Sequence, residues 1–335
     1  MAILIAGLPV LAVILVANLV AARGTDRARI AFNLFLFLAN LALLLTGLAL
    51  RFLPLYSVNW PEMGLQLLDQ GLGSLTLIGM GLWGMLVSLR PVRQWLGRLL
   101  PALEPESPVH TLALATVGYL MGNAAISFSP GALDALADAQ IEASLIDVLA
   151  QQFVFVLAAF VGVGLLTRRD GAALNERLGL QRPTRSQIWT GVRWMLFFVI
   201  LQACISTVWT LFDAAQVEQL SGINESLLGS FDTVWEWFLL AASAGLGEEL
   251  LFRGALQPIF GILPTSLIFA LSHVQYGLSP ATLAVFLLSI VLGVIRKRSN
   301  TTVAILVHAG YNFILGLLSL LALYLEPFMR QVTPP

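Results

Sequence analysis

The residues with the clearest chemical potential lie in an apolar stretch near position 250. Glu248 and Glu249 are adjacent, and Arg253 follows the second carboxylate by four residues. An ionisable group at the centre of a bilayer costs about 2.5–3.5 kcal/mol on insertion scales. On a helix Glu249 and Arg253 share a face and can pair, whereas Glu248 is turned by about 100° toward another cavity. The spacing therefore predicts one structural anion and one carboxylate that is free to act as a base.

Two later apolar stretches each carry one histidine. Phe269 and His273 are four residues apart, so the phenyl ring can wall the helix face that presents the imidazole. His308 and Asn312 have the same spacing and form a paired donor face. Taken singly, each residue has an ordinary explanation as packing or as an interhelical hydrogen bond. The joint pattern of acid, imidazoles and amide in the last third of the chain is what predicts a shared site.

The composition requires that membrane-spanning helices position these residues. The chain has 335 residues, of which 58% are hydrophobic and 11% charged. Soluble domains carry about 25% charged residues, so the predicted fold is an all-α, polytopic transmembrane bundle. Hydropathy predicts about ten spans, near residues 2–22, 30–50, 72–89, 111–127, 145–166, 187–208, 233–252, 263–276, 280–295 and 302–325. The eighth is shorter than the roughly 20 residues that a crossing needs.

The polar segments divide the predicted spans into regions. We expect an N-terminal five-helix region of unknown role at 1–167, a polar cytoplasmic linker at 168–186, a catalytic region at 187–325 and a short tail at 326–335. Loops are predicted at 53–70, 90–108, 128–144 and 211–232. Arginines concentrate in every second loop, which by the positive-inside rule predicts an outside N-terminus and places Arg253 on the cytoplasmic side.

The motifs Glu248-Glu249-x-x-x-Arg253, Phe269-x-x-x-His273 and His308-x-x-x-Asn312 resemble the three-motif signature of the CPBP family. These are the CAAX-processing and bacteriocin-processing intramembrane proteases, also called the Abi family. The resemblance covers about residues 187–325 and leaves the first five helices unexplained.

The resemblance implies hydrolysis of a peptide bond within the membrane. It implies that Glu248 is the base that activates water and that His273 holds the same water. Glu249, Arg253 and Phe269 would support the site, while His308 and Asn312 would stabilise the oxyanion. A buried carboxylate base and preorganised donors suit this chemistry.

The resemblance leaves metal use undecided. Glu248, His273 and His308 could form a zinc site with an open water position, and the family is commonly labelled metalloprotease. The chain has no HExxH motif, however. We therefore expect either no cofactor or Zn²⁺, with a preference for hydrolysis without metal.

The expected partners are membrane lipid and a membrane-associated substrate, either a CAAX-type prenylated protein or a bacterial peptide or leader. Nucleic acid is not expected, and the oligomeric state is not predicted. The expected location is the bacterial plasma membrane, with a site open toward the cytoplasm. Two other functions are compatible with the sequence: a proton-coupled carrier, since buried acids and histidines also form proton relays, and a non-catalytic immunity or scaffold protein.

Overall fold

Helices form all of the regular secondary structure in the part of the chain that the structure describes. The structure is a computed structural model that describes the backbone of residues 2–52, 70–139 and 141–332, and the side chains of residues 3–52, 71–139 and 141–325. The α-helices are α1 Ala2–Arg23, α2 Asp26–Phe52, α3 Gln70–Ser88, α4 Arg90–Leu99, α5 Pro108–Ser127, α6 Ala132–Asp138, α7 Leu145–Val163, α8 Gly171–Leu178, α9 Arg185–Phe212, α10 Ala214–Leu228, α11 Val234–Glu249, α12 Gln257–Phe260, α13 Ile262–Ser272, α14 Pro280–Arg298 and α15 Thr301–Val332.

Eight of the described helices are long and apolar enough to cross a membrane. They are α1, α2, α3, α5, α7, α9, α14 and α15. The seventh predicted span, 233–252, covers α11 and the first residues of a π-helix at Leu250–Leu256, which α12 follows directly. The eighth is α13, which has 11 residues and is followed by a 3-10 turn at Val274–Tyr276. The predicted fold class, a polytopic helical bundle, is therefore confirmed.

Three segments that we expected to be loops contain helices, and that expectation was wrong. Helix α4 lies within 90–108, α6 within 128–144 and α10 within 211–232. The charged residues in these segments suggested solvated loops, but α4 buries Leu96 and α10 buries Leu220 and Ile223. Helices α4 and α10 therefore each have one face packed on the protein, whereas α6 has no buried residue. The predicted loop at 53–70 lies, apart from the backbone of Gln70, outside the described residues.

The predicted linker at 168–186 packs against the rest of the protein through α8. Leu174 and Leu178 of this helix are buried in one apolar cluster with Leu250 and Ala255 of the π-helix. The N-terminal region is also joined to the catalytic region by α7, which contacts both α11 and the π-helix. The two predicted regions therefore share an apolar core.

Close helix contact in the N-terminal region depends on small residues of α3. A Cβ atom at Gly81 would lie 2.6 Å from the backbone nitrogen of Leu44 and 2.8 Å from the carbonyl oxygen of Asn40, both in α2. Gly79, two residues earlier, is exposed and has no atom within 4 Å of such a Cβ. Of these two glycines, Gly81 is the one that the approach of α2 requires, because small residues let helix backbones come together in membranes.

We predict that Gly81→Ala lowers the stability of the protein by about 1–3 kcal/mol, the usual cost of overpacking a close contact. The added methyl group meets backbone atoms, which cannot rotate away. Thermal unfolding in detergent measures the effect, and Gly79→Ala is the matched control with an unchanged melting temperature. Equal melting temperatures for both variants would show that α2 and α3 do not pack in this way.

Candidate active site

Three helices bring one carboxylate and two imidazoles to the same place. Glu248 lies at the end of α11, His273 directly follows α13, and His308 lies in α15. The Oε2 atom of Glu248 is 4.0 Å from Nε2 of His273 and 4.0 Å from Nε2 of His308. That oxygen is buried and has no hydrogen-bond partner within the described protein. The structure thus brings together three of the predicted catalytic residues, the first and last of which are 60 positions apart in the sequence.

Local sequence features set the positions of two of these helices. Helix α11 begins with a capping box. The side chain of Thr233 accepts a hydrogen bond from the backbone N–H of Glu236, and the side chain of Glu236 accepts one from the backbone N–H of Thr233. At the start of α15 the side-chain oxygen of Asn300 accepts a hydrogen bond from the backbone N–H of Val303. The two helices touch closely at Gly245, where a Cβ atom would lie 2.9 Å from the backbone nitrogen of Ala309. This contact places the end of α11 beside His308.

Glu249 and Arg253 form a fully buried ion pair beneath the three residues. Their side chains are 0% and 1% exposed, and Nη1 of Arg253 is 3.0 Å from Oε1 of Glu249. His308 Nδ1 lies 2.8 Å from the same oxygen; a carboxylate only accepts, so this nitrogen is the donor. Arg253 also donates from Nη2 to the hydroxyl of Ser289 in α14, at 2.9 Å. The pair predicted from its spacing is therefore present and joins α11, α14 and α15.

Phe269 packs between Arg253 of the ion pair and His273. The guanidinium carbon of Arg253 lies 4.4 Å from the centre of the Phe269 ring, and the ring of His273 lies 4.7 Å from it. His273 Nδ1 donates to the carbonyl oxygen of Phe269 at 2.8 Å, which leaves Nε2 directed toward Glu248. Tyr276 covers the other side of His273 in a stacked arrangement. The ring of His273 is thus fixed on both faces and at one nitrogen.

A π-helix follows the carboxylates, and two arginines stabilise its carbonyl groups. Arg177 of α8 donates to the carbonyl oxygens of Gly254 and Ala255, at 2.7 and 3.2 Å. Arg296 of α14 donates to that of Arg253, at 3.2 Å. Burial, together with the nearby positive charge of Arg169, lowers the pKa of Arg177 to about 10, so the side chain still carries its charge near neutral pH. The sequence suggested a regular helix here, because a π-helix has no distinctive composition.

Asn312 differs from the other predicted residues. It lies in α15 one turn after His308 and is half-buried. Among the described residues it makes no hydrogen bond to Glu248 or to either histidine. Its place at the site therefore rests on its position along the helix, and its predicted role is not tested.

Gln152 of α7 belongs to the site, although it was not among the residues predicted from the sequence. Its Nε2 atom donates to Oε1 of Glu248 at 3.2 Å, and the residue is 5% exposed. The available signal was a pair of glutamines, Gln151 and Gln152, inside the fifth apolar span. Polar residues in spans are more often helix-to-helix hydrogen bonders than site residues.

The arrangement can be compared with the requirements of zinc. Zinc bonds of about 2.0–2.2 Å bring tetrahedral ligands to roughly 3.3 Å from one another, whereas the Glu248 oxygen is 4.0 Å from each imidazole nitrogen. Among the described residues no group of three His, Cys, Asp or Glu side chains is placed to hold a metal ion. The residues as placed therefore do not fit zinc.

A comparison with known families matches the segment that carries the predicted site residues. Residues 230–314 match a family model. The family is described as Rce1-like, type II CAAX prenyl endopeptidase. The matched segment covers about a quarter of the chain and includes every predicted site residue, while Gln152 lies outside it. Neither the comparison with curated proteins nor that with solved structures found a match. The resemblance seen in the three motifs is therefore confirmed for this segment, and it implies a protease of the CAAX type.

We predict that Arg253→Met destabilises the protein by about 3–5 kcal/mol, because Glu249 is left as a buried, unpaired charge. Arg298→Met is the matched control, since Arg298 is exposed at the end of α14 and should change stability by no more than about 0.5 kcal/mol. Chemical or thermal unfolding of both purified variants in one detergent gives the comparison. A melting temperature of Arg253→Met equal to that of the control would contradict the buried pair.

Proposed function

We propose that the protein is an intramembrane endopeptidase that hydrolyses a peptide bond of a membrane-associated substrate with a water activated by Glu248. The observation that carries this proposal is the pair of 4.0 Å separations between Glu248 Oε2 and the two imidazoles. They exceed a direct hydrogen bond, which spans about 2.7–3.2 Å, and a polar gap of this width suits one bridging water.

In the proposed reaction Glu248 accepts a proton from the water while His273 orients it. The water oxygen bonds to the carbonyl carbon of the substrate, and the carbonyl oxygen becomes an oxyanion. His308 and Asn312 donate to that oxyanion, His308 from Nε2 when its ring carries both protons. Glu248 then returns its proton to the amide nitrogen as the carbon–nitrogen bond breaks. General-base catalysis of this kind contributes about 10²–10⁴-fold to a rate.

The substrate class follows from the family match and the membrane setting. We propose a prenylated peptide of the CAAX type as the substrate, with a bacterial peptide or leader as the alternative. Arg177 and Arg296 contact the π-helix directly after the site, so the site lies near the arginine-rich side of the protein. From the positive-inside rule we infer that this side is cytoplasmic, and we propose that the entrance faces the cytoplasm of a bacterial plasma membrane.

We predict that Glu248→Gln lowers cleavage of a farnesylated CAAX peptide by about 10²–10⁴-fold, because the amide cannot accept the proton of water. The protein should still fold, since glutamine has the size of glutamate. Glu218→Gln changes an exposed carboxylate of α10 and should leave the rate unchanged. Purified variants in liposomes, assayed by mass spectrometry of the peptide with and without its farnesyl group, give both rates.

Two results would contradict this proposal. Cleavage by Glu248→Gln at the wild-type rate would remove Glu248 from the reaction. Uptake of a solute driven by a pH gradient, dependent on Glu248 and without any peptide cleavage by the wild type, would instead indicate a carrier.

We predict that metal chelators leave the cleavage rate unchanged, because the side chains that could bind zinc are too far apart as placed. Incubation with EDTA or 1,10-phenanthroline, followed by elemental analysis of the protein, checks this. Loss of activity that returns specifically on addition of Zn²⁺ would show instead that Glu248, His273 and His308 close around a metal.

A further inference from the structure

Glu248 is held by a residue from outside the family-matched segment. Its two carboxylate oxygens have different surroundings: Oε1 accepts from Gln152 Nε2 at 3.2 Å, whereas Oε2 lies in the gap between the two imidazoles. A glutamate side chain has three rotatable bonds, so Oε2 keeps this direction only if something fixes the other oxygen. Gln152 is the side chain placed to do so.

We propose that Gln152 is a positioning residue that orients Glu248 for hydrolysis, which makes α7 of the N-terminal region a part of the catalytic unit. The inference rests on the proposed function, because it assigns a role within that reaction. Gln152 acts through Glu248 and is not expected to touch the substrate.

The packing of α7 against α11 keeps Gln152 in place. Gly247 directly precedes Glu248, and a Cβ atom there would lie 2.9 Å from the carbonyl oxygen of Gln152 and in contact with its side-chain oxygen. The backbones of the two helices therefore meet at this level. With 5% of the residue exposed, the amide has little room to turn away from the carboxylate.

The orientation of the amide follows from the chemistry of its neighbour. An ionised carboxylate only accepts hydrogen bonds, so the amide must present its NH₂ group to Glu248. The Oε1 atom of Gln152 is buried without a partner in the described protein. A buried polar atom left unpaired costs free energy, and this cost accompanies the donor that the same amide provides to Glu248.

A neutral donor is the type of group that positioning requires. Arginine or lysine at this place would neutralise the base, whereas an amide donates a hydrogen bond and leaves the negative charge on Glu248 available for the proton of water. The titratable or charged groups that face Glu248 from the surrounding elements, or adjoin it in the chain, are His273, Tyr276, His308, Glu249 and Arg253. A change at Gln152 alters none of them directly.

Gln152→Leu tests the inference, because leucine keeps most of the volume and removes the donor. We expect kcat for the farnesylated peptide, per folded protein, to fall about 10- to 100-fold, the range for loss of a hydrogen bond to a charged group. KM should stay unchanged. In a plot of kcat against pH, the fall in rate at low pH should move to higher pH, since the ionised carboxylate of Glu248 loses a donor that stabilises it. Gln151→Leu, at the exposed neighbouring position, is the matched control with wild-type kinetics.

A second variant covers the case in which Gln152→Leu does not fold. Gln152→Glu keeps the size and polarity of the side chain and replaces the donor with a second carboxylate, so it should also lower kcat and alter the pH profile. Wild-type kcat and pH profile in either folded variant would overturn the inference. So would a smaller folded yield with unchanged kcat per folded protein, since that result indicates a structural role only.

The same assays separate this inference from the proposed function. A wild-type protein that does not cleave the peptide, or a Glu248→Gln variant that does, refutes the proposed function. A wild-type protein that cleaves, with Glu248→Gln inactive and Gln152→Leu unaffected, refutes the inference alone.

Discussion

The buried pair of Glu249 and Arg253 is the interaction on which the rest of the site depends. Two charges removed from water are expensive, and additional hydrogen bonds help their attraction to compensate. Here His308 of α15 and Ser289 of α14 each add one such bond, while Oε2 of Glu249 has no hydrogen-bond partner within the described protein. The requirement to pair these charges therefore fixes the positions of three helices, and the position of His308 opposite Glu248 is a consequence.

The second constraint is that the two adjacent carboxylates have different surroundings. Glu249 is fully buried and pairs with Arg253, whereas Glu248 is 14% exposed and has one oxygen 4.0 Å from both imidazoles. Consecutive residues of a helix point about 100° apart, so one side chain can enter the ion pair while the other faces the gap between the imidazoles. The π-helix that follows, held by Arg177 and Arg296, connects this arrangement to α8 and α14.

Much of this could be predicted from the sequence because the signals are local. Apolar stretches separated by arginines predicted the helical membrane fold, and the four-residue spacings of Glu249 with Arg253 and of Phe269 with His273 predicted contacts that the structure contains. Helices α4 and α10 were missed because their polar faces gave the segments the composition of loops. The π-helix was missed because its hydrogen-bond pattern leaves no trace in residue type.

Gln152 could not be found from the sequence for a different reason. A single amide in an apolar span has many possible partners, and only the approach of α7 to Gly247 selects Glu248 among them. Asn312 shows the opposite case: its spacing from His308 is clear in the sequence, yet among the described residues it makes no hydrogen bond to Glu248 or to either histidine. Its role stays a prediction.

The most direct test of this account is an experimental structure of the protein in lipid at a resolution that shows water. The account predicts one water within about 2.6–3.2 Å of both Glu248 Oε2 and His273 Nε2, with Glu248 Oε1 bonded to Gln152. A Glu248 side chain that faces lipid, or histidines displaced far from it, would contradict the account.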